Sequence, residues 1–319
     1  MTTPAITSSP VTDSRTLRVR KSTFRSEGVA CAASLHLPAD VDTGPVPAIL
    51  MLHGWGGVGG ALLLPFIEGF VAAGFAVMTF DYPGWGDSEG LPRHVINPWA
   101  RARTAGSALA HLKSLPEVDQ RKIVLWGTSF GGGHAVELAA EHPELLGLIA
   151  HVPMLDGRDA VKAVPLSRML RFGLHAAADL LSPGRPHYIP VTAPPGEFGT
   201  MDRDGANDAL LRGMEQMGLN YDNRIAARSV LTMGLYRPFR QLKRVRVPTL
   251  LVGATRDTVA PFIEDRLRKL AGPQLQIRTL DANHFEPYFE PLLTQNRAWQ
   301  LEFLASLQPA QAARAGQGQ

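Results

Sequence analysis

Residues 17–24 and 29–37 alternate apolar and polar positions, and Ser26-Glu27-Gly28 interrupts the alternation between them. A period of two over eight or nine residues predicts strands with one buried face, and the short polar break predicts an antiparallel hairpin. From residue 48 onward the pattern changes. Unbroken apolar runs at 48–52, 76–80, 123–126, 146–152, 249–252 and 275–279 alternate with helical stretches such as 134–142. Short runs without alternation predict strands buried on both faces. The expected fold is therefore α/β: a mostly parallel central sheet flanked by helices on both faces.

The rhythm fails over residues 153–247, an interval far longer than one strand-to-helix connection. Helix-like stretches at 161–181 and 204–217 flank a Pro- and Gly-rich segment at 183–199. The expectation is a helical cap, 153–247, inserted into a core made of residues 15–152 and 248–308. The tails, 1–14 and 309–319, are expected to be disordered, the second being rich in Ala, Gln and Gly.

Composition narrows the class. Of 319 residues, 45% are apolar and 19% charged, which excludes a disordered, collagen-like or coiled-coil chain. Mean hydropathy is -0.03. The 32 basic residues exceed the 29 acidic ones by only three, too little to argue for a nucleic-acid partner. Lys243, Arg244 and Arg246 form the tightest basic cluster and read as a solvated helix end. The single cysteine, Cys31, lies in an alternating run and reads as a small buried side chain. His134, Glu137 and His142 read as ordinary polar positions of one helix, and no Cys-His zinc spacing occurs, so no metal is expected. Residues 1–14 lack the basic and apolar regions of a secretory leader, and no apolar run reaches the ~18 residues of a membrane helix. The expectation is a soluble, cytoplasmic protein without a membrane partner.

The strongest chemical signal is the apolar run 123–126 followed by Gly127-Thr-Ser129-Phe-Gly131-Gly132 and a helical pattern. A nucleophile on a sharp strand-to-helix turn needs glycines on either side, because a Cβ there would collide with the neighbouring strand and helix. A serine hydroxyl also needs a base and an acid that orients the base. Asp257 follows the run at 249–252, and His284 follows the run at 275–279. Ser129, Asp257 and His284, each on a loop at one edge of a parallel sheet, would converge as nucleophile, acid and base. Asp156, after the run at 146–152, is an alternative acid. His53 reads as a turn-stabilising hydrogen-bond partner, His151 as a buried strand residue, and Asp281 and Glu286 as solvated neighbours of His284.

With these residues in place, the chain resembles the α/β-hydrolase family from about Leu35 to Leu307. The resemblance rests on His53-Gly54-Trp55-Gly56-Gly57, on Asp81-Tyr-Pro-Gly84-Trp-Gly86-Asp-Ser88, and on the Ser129 turn with Asp257 and His284 behind it. It implies an oxyanion hole made by the backbone N–H groups of Trp55 and Phe130. The Asp81 to Gly90 motif looks like the version in dienelactone-hydrolase-like, cocaine-esterase or X-prolyl-peptidase-like branches. One rival motif is present: Gly54-x-Gly56-x-x-Gly59 with Asp81 about 22 residues on matches a dinucleotide fingerprint. It would leave the Ser, Asp, His order as coincidence.

The implied activity is a serine hydrolase of carboxylic esters or thioesters working through an acyl-enzyme, without cofactor, on a small-molecule acyl substrate. Transfer of the acyl group to an alcohol and peptide or amide cleavage are the alternatives on the same fold; a non-catalytic binding protein is a further one. Met154, Leu155, Val164, Leu166, Met169, Leu170 and Phe172 would line an apolar acyl pocket or form the cap's own core.

Overall fold

Glu27 and Gly28 both take positive φ, 48° and 84°, and Ser26 pairs with Val29, so the first turn contains two residues. That backbone matches the twist of the strands it joins, β1 (Arg18–Ser26) and β2 (Val29–Leu37), which run antiparallel. The computed structural model describes residues 17–308 apart from 39–43, 61, 183, 217, 219–220 and 271. The tails expected at 1–14 and 309–319 lie outside the described residues.

The remaining sheet strands are β3 (Val46–Leu52), β4 (Ala76–Phe80), β5 (Val118–Thr128) and β6 (Gly147–His151), followed far downstream by β9 (Thr249–Ala254) and β10 (Leu275–Leu280). A separate two-stranded pair, β7 (Tyr188–Ile189) and β8 (Ile225–Ala226), lies between them in sequence. The eight-stranded order is β1-β2-β4-β3-β5-β6-β9-β10. β2 meets β4 antiparallel, and every pair from β4 to β10 is parallel. Carboxyl ends of six strands therefore share one edge, where loops converge.

Strand alternation divides the core in two. Leu50, Leu52, Met78 and Leu125 point to one face, against α2 (Pro98–Ser114) and α3 (Phe130–Glu141). Ile49, Met51, Val77 and Val124 point to the other, against α1 (Leu64–Ala72) and α8 (Leu292–Leu307). β10 departs from expectation. Gln276 and Arg278 are exposed, because β10 is the edge strand and only one of its faces is covered.

The described residues of 153–247 add no strand to the large sheet. They supply α4 (Gly157–Lys162), α5 (Leu166–Leu180), α6 (Ala206–Gln216) and the 3₁₀ segments Ala227–Leu235 and Pro238–Arg244. The helix-like stretch at 161–181 is two helices, because Pro165 disfavours helical backbone at Val164 and lacks the N–H to continue α4. α5 turns its polar side inward. Asp179 is buried and accepts hydrogen bonds from the Arg228 side chain (2.7 and 2.8 Å) and from the backbone N–H of Arg228 and His187. Leu166, Leu170 and Leu174 are 72%, 64% and 74% exposed, so Leu166 and Leu170 belong neither to a cap core nor to a pocket wall.

Among the described residues no helix is long and apolar enough to cross a membrane. Cys31 is buried and unpaired, and Lys243, Arg244 and Arg246 are exposed.

Candidate active site

Ser129 sits between β5 and α3 at φ 52° and ψ -124°, a conformation that costs on the order of 1–3 kcal/mol in a non-glycine residue. Its neighbours hold it there. Ser129 N–H donates to His151 O (3.0 Å), and Ser129 O accepts from Gly132 N–H (2.9 Å) and Met154 N–H (2.8 Å). A Cβ on Gly131 would stand 2.2 Å from Leu52 O, and one on Gly127 would stand 2.4 Å from Gly131 O, so the turn closes only with glycine at both positions.

The loops after β9 and β10 bring Asp257 and His284 to the same edge. Asp257 Oδ2 lies 2.6 Å from His284 Nδ1, and His284 Nε2 lies 2.9 Å from Ser129 Oγ. A carboxylate only accepts, so Nδ1 carries the proton and Nε2 is the lone pair facing the serine hydroxyl. Asp257 Oδ1 accepts from the N–H groups of Val259 (2.8 Å) and Ala260 (2.7 Å), which fixes the carboxylate. Ser129, Asp257 and His284 are 9%, 7% and 2% exposed, so all three side chains are largely buried.

The loop after β3 closes the fourth side. Gly54 presses on the serine: a Cβ there would lie 3.0 Å from Ser129 Cβ. Among the described residues the N–H groups of Trp55 and Phe130 donate to no protein acceptor. Their side chains meet edge to face at 5.2 Å, and the Trp55 indole N–H donates to Thr200 Oγ1 (3.0 Å).

Other sequence candidates fall elsewhere. Asp156 caps α4 through Arg158 N–H (3.0 Å) and is bonded by the Arg237 guanidinium (3.0 and 2.9 Å), with Arg266 at 3.3 Å. Burial works against its charge, yet these partners hold the carboxyl below its usual range. It makes no bond to His284. His53 Nδ1 bonds Gly54 O (3.1 Å), and burial lowers its imidazole to about 3. His151, buried in β6, bonds Thr128 Oγ1 and Asn296. Asp281 and Glu286 are bridged at the surface by Arg256. Asp81 gives its carboxylate to the N–H groups of Gly59 (2.5 Å) and Asp87 (2.9 Å), and α1 starts only at Leu64, so the glycine loop lacks the free acid and adjoining helix start of a dinucleotide site. His134, read as an ordinary polar position of one helix, lies on α3 wholly buried among Tyr82, Phe130 and Tyr236, and burial lowers its imidazole far below its ordinary range. Among the described residues no His, Cys, Asp or Glu cluster is arranged to hold a metal.

A cavity of about 610 Å³ opens at Ser129. Met154, Val164, Met169 and Phe172 line it, as does Trp55, whereas Leu155 is buried outside it. Further lining comes from Thr200 to Arg203, from Val230 and Leu231, and from Met233 to Leu235. Those residues sit in loops and 3₁₀ turns, which leave no periodic signature in the sequence.

The model of the family described as "Serine aminopeptidase, S33" matches residues 43–280, three-quarters of the chain. The chain belongs to this α/β-hydrolase family. The branches that the Asp81 to Gly90 motif suggested are not the one whose model matches. The quorum-quenching protein AidA of Acinetobacter baumannii (strain MDR-ZJ06) is 34% identical over 291 residues, 90% of this chain and 94% of the relative. A thiohydrolase of Eupenicillium brefeldianum is 27% identical over 67% of this chain and 71% of its own. Among solved structures, the α/β hydrolase GrgF from Penicillium superposes with a TM-score of 0.73 at 22% identity, covering 91% of this chain and 99% of the other. A protein named GrgF from Penicillium is described as a polyketide transferase and is 27% identical over 57% of this chain and 61% of its own. α/β-Hydrolase family membership accounts for the strand order and for the parallel run whose carboxyl edge carries Ser129.

Proposed function

We propose that this α/β hydrolase is a serine hydrolase of carboxylic esters or thioesters working through an acyl-enzyme. The observation that carries the reading is the hydrogen-bonded chain Asp257–His284–Ser129 at the mouth of an apolar cavity. His284 Nε2 takes the Ser129 proton as Oγ bonds to the acyl carbon, and Asp257 stabilises the resulting imidazolium. The carbonyl oxygen becomes an oxyanion facing the Trp55 and Phe130 N–H groups. His284 then returns the proton to the departing alcohol or thiol, leaving the acyl group on Ser129. A water molecule repeats the cycle: His284 takes its proton, its oxygen attacks, and the acid leaves as Ser129 regains its hydrogen. Residues 153–247 act as a cap whose Met169, Phe172, Met233 and Leu235 hold the acyl chain.

Likeness to a thiohydrolase supports including thioesters, and likeness to a polyketide transferase supports a second reading in which an alcohol replaces water. Aminopeptidase action is less supported. Among the residues lining the cavity the one acid is Asp202, and Arg168 and Arg203 occupy it, so no free carboxylate awaits a substrate ammonium.

The test is intact-mass labelling with a fluorophosphonate, beside turnover of p-nitrophenyl esters and an acyl thioester. One adduct and turnover in the wild type, both lost in Ser129→Ala, is the expected result. Full activity in Ser129→Ala would overturn the mechanism.

A further inference from the structure

Arg101, on the first turn of α2, is 3% exposed and lies within salt-bridge distance of no described carboxylate. Its guanidinium carbon stands 4.4 Å from the Tyr82 ring centroid and 5.2 Å from that of Trp85. Nε and Nη2 have no hydrogen-bond partner among the described residues. Nη1 has one: the carbonyl oxygen of Gly54, at 3.2 Å. A buried cation without a counter-ion is expensive, and two aromatic faces offset only part of that expense.

Gly54 O belongs to the peptide unit whose other end is the Trp55 N–H. In a trans peptide the C=O and N–H point in opposite directions, so a group that fixes the oxygen from behind aims the N–H forward. Three donors converge on this one oxygen: Arg101 Nη1, His53 Nδ1 (3.1 Å) and Gly57 N–H (3.4 Å). Only Arg101 brings a charge, since burial keeps the His53 imidazole neutral. A charge-assisted bond to the carbonyl is stronger than a neutral one, and it draws electron density from the amide so that its N–H becomes a better donor. Gly54 itself lies against Ser129: a Cβ on it would stand 3.0 Å from Ser129 Cβ and 3.4 Å from Oγ.

We infer that Arg101 is a positioning residue for acyl transfer: its buried guanidinium holds and polarises the Gly54–Trp55 peptide so that the Trp55 N–H meets the oxyanion. This rests on the serine-hydrolase reading above. Arg101 touches no substrate and acts through that peptide alone. Its effect therefore falls on the transition state, where the oxygen is charged, and little on ground-state binding.

The experiment compares wild type, Arg101→Gln, Arg101→Lys and, as control, the exposed helix neighbour Arg103→Gln, on one p-nitrophenyl ester and one trifluoromethyl ketone. The ketone adds to Ser129 and places an oxyanion in the site. Removal of a whole oxyanion donor costs about 10²–10³ in kcat, so weakening one by loss of its support should cost about 10- to 100-fold in Arg101→Gln. The expected pattern is that loss in kcat, KM within about threefold, and ketone affinity falling by the same factor as kcat/KM. Arg101→Lys, which keeps a cation on a different reach, should fall between, and Arg103→Gln should match wild type. If Arg101→Gln does not fold, the same parallel between kcat/KM and ketone affinity is read in Arg101→Lys. Wild-type kcat in either folded variant, or a loss without a matching change in ketone affinity, would overturn the inference. Fluorophosphonate labelling keeps the readings separate: an unlabelled, inactive wild type sinks the serine-hydrolase reading, whereas a labelled, active wild type with unaffected Arg101 variants sinks only this one.

Discussion

Asp257 divides its two carboxylate oxygens between His284 and its own loop: Oδ2 faces the imidazole Nδ1 at 2.6 Å, and Oδ1 accepts the N–H groups of Val259 and Ala260. In Asp257→Asn the amide oxygen would keep the two backbone donors and turn its NH₂ toward His284. The imidazole would then accept at Nδ1 and carry its proton on Nε2, where it cannot take one from Ser129. kcat should fall by about 10⁴ with little change in melting temperature. Activity within tenfold of wild type, measured on the same ester, would remove Asp257 from the mechanism.

Asp156→Asn separates the two candidate acids. Asp156 is fixed by Arg237, Arg266 and the start of α4, away from the imidazole. Its neutralisation takes the charged partner from Arg237 and one of two from Arg266, which keeps Asp159 at 2.7 Å, a loss of roughly 1–3 kcal/mol. Urea unfolding should register that loss while kcat/KM stays within about threefold. A drop in activity as large as that of Asp257→Asn would reassign the acid.

How much of this was legible in the sequence depended on what each signal encodes. Runs such as Ala76 to Phe80 declare strands buried on both faces, because a surface strand would need polar alternation. That Ser129, Asp257 and His284 come together was legible because a parallel sheet sends the loops that follow its strands to one edge. α5 was not legible in the same way. Its sequence declares an amphipathic helix, but periodicity does not say which side meets the protein, and the Asp179–Arg228 pair holds the polar side inward. Arg101 was missed because an arginine reads as solvated, and only the placement of Tyr82, Trp85 and Gly54 around it reveals a buried one.

The inverted helix makes a stability prediction. Leu170 and Leu174 point outward, so Leu170→Gln with Leu174→Gln should change unfolding free energy by no more than about 0.5 kcal/mol per site. Were these residues in a core, each would cost about 2–5 kcal/mol. A denaturant titration that finds the larger loss would show that the outward face is covered in solution.

Gly173 lines the cavity, and a Cβ added there meets nothing within 4 Å. A larger side chain at this position starts in open space on the cavity wall, and it removes a helix-interior glycine, which favours the fold by roughly 0.5 kcal/mol. Gly173→Phe should lower kcat/KM at least tenfold for a ten-carbon acyl ester and leave the acetyl ester within threefold. An equal effect on both esters would place the acyl chain elsewhere.

Burial of Glu137 should give the fold a pH dependence whose sign follows from the direction of its shift. It lies on α3, behind the Ser129 turn, with Oε2 accepting the buried Tyr236 hydroxyl at 2.8 Å. Burial raises its carboxyl to about 7, the Tyr236 hydrogen bond opposing only in part. An acid whose pKa is higher in the folded state binds more protons there, so its contribution is fully present below about pH 4.5 and is lost as pH rises toward 7, by at most about 1.4 kcal/mol per pH unit. Glu137→Gln keeps an acceptor for Tyr236 but cannot ionise. Urea unfolding at pH 5, 6, 7 and 8 should therefore show a declining component in the wild type that is absent from Glu137→Gln, with the variant the more stable of the two at pH 8. Parallel stability curves for the two proteins would mean that Glu137 ionises in the folded state as readily as in water.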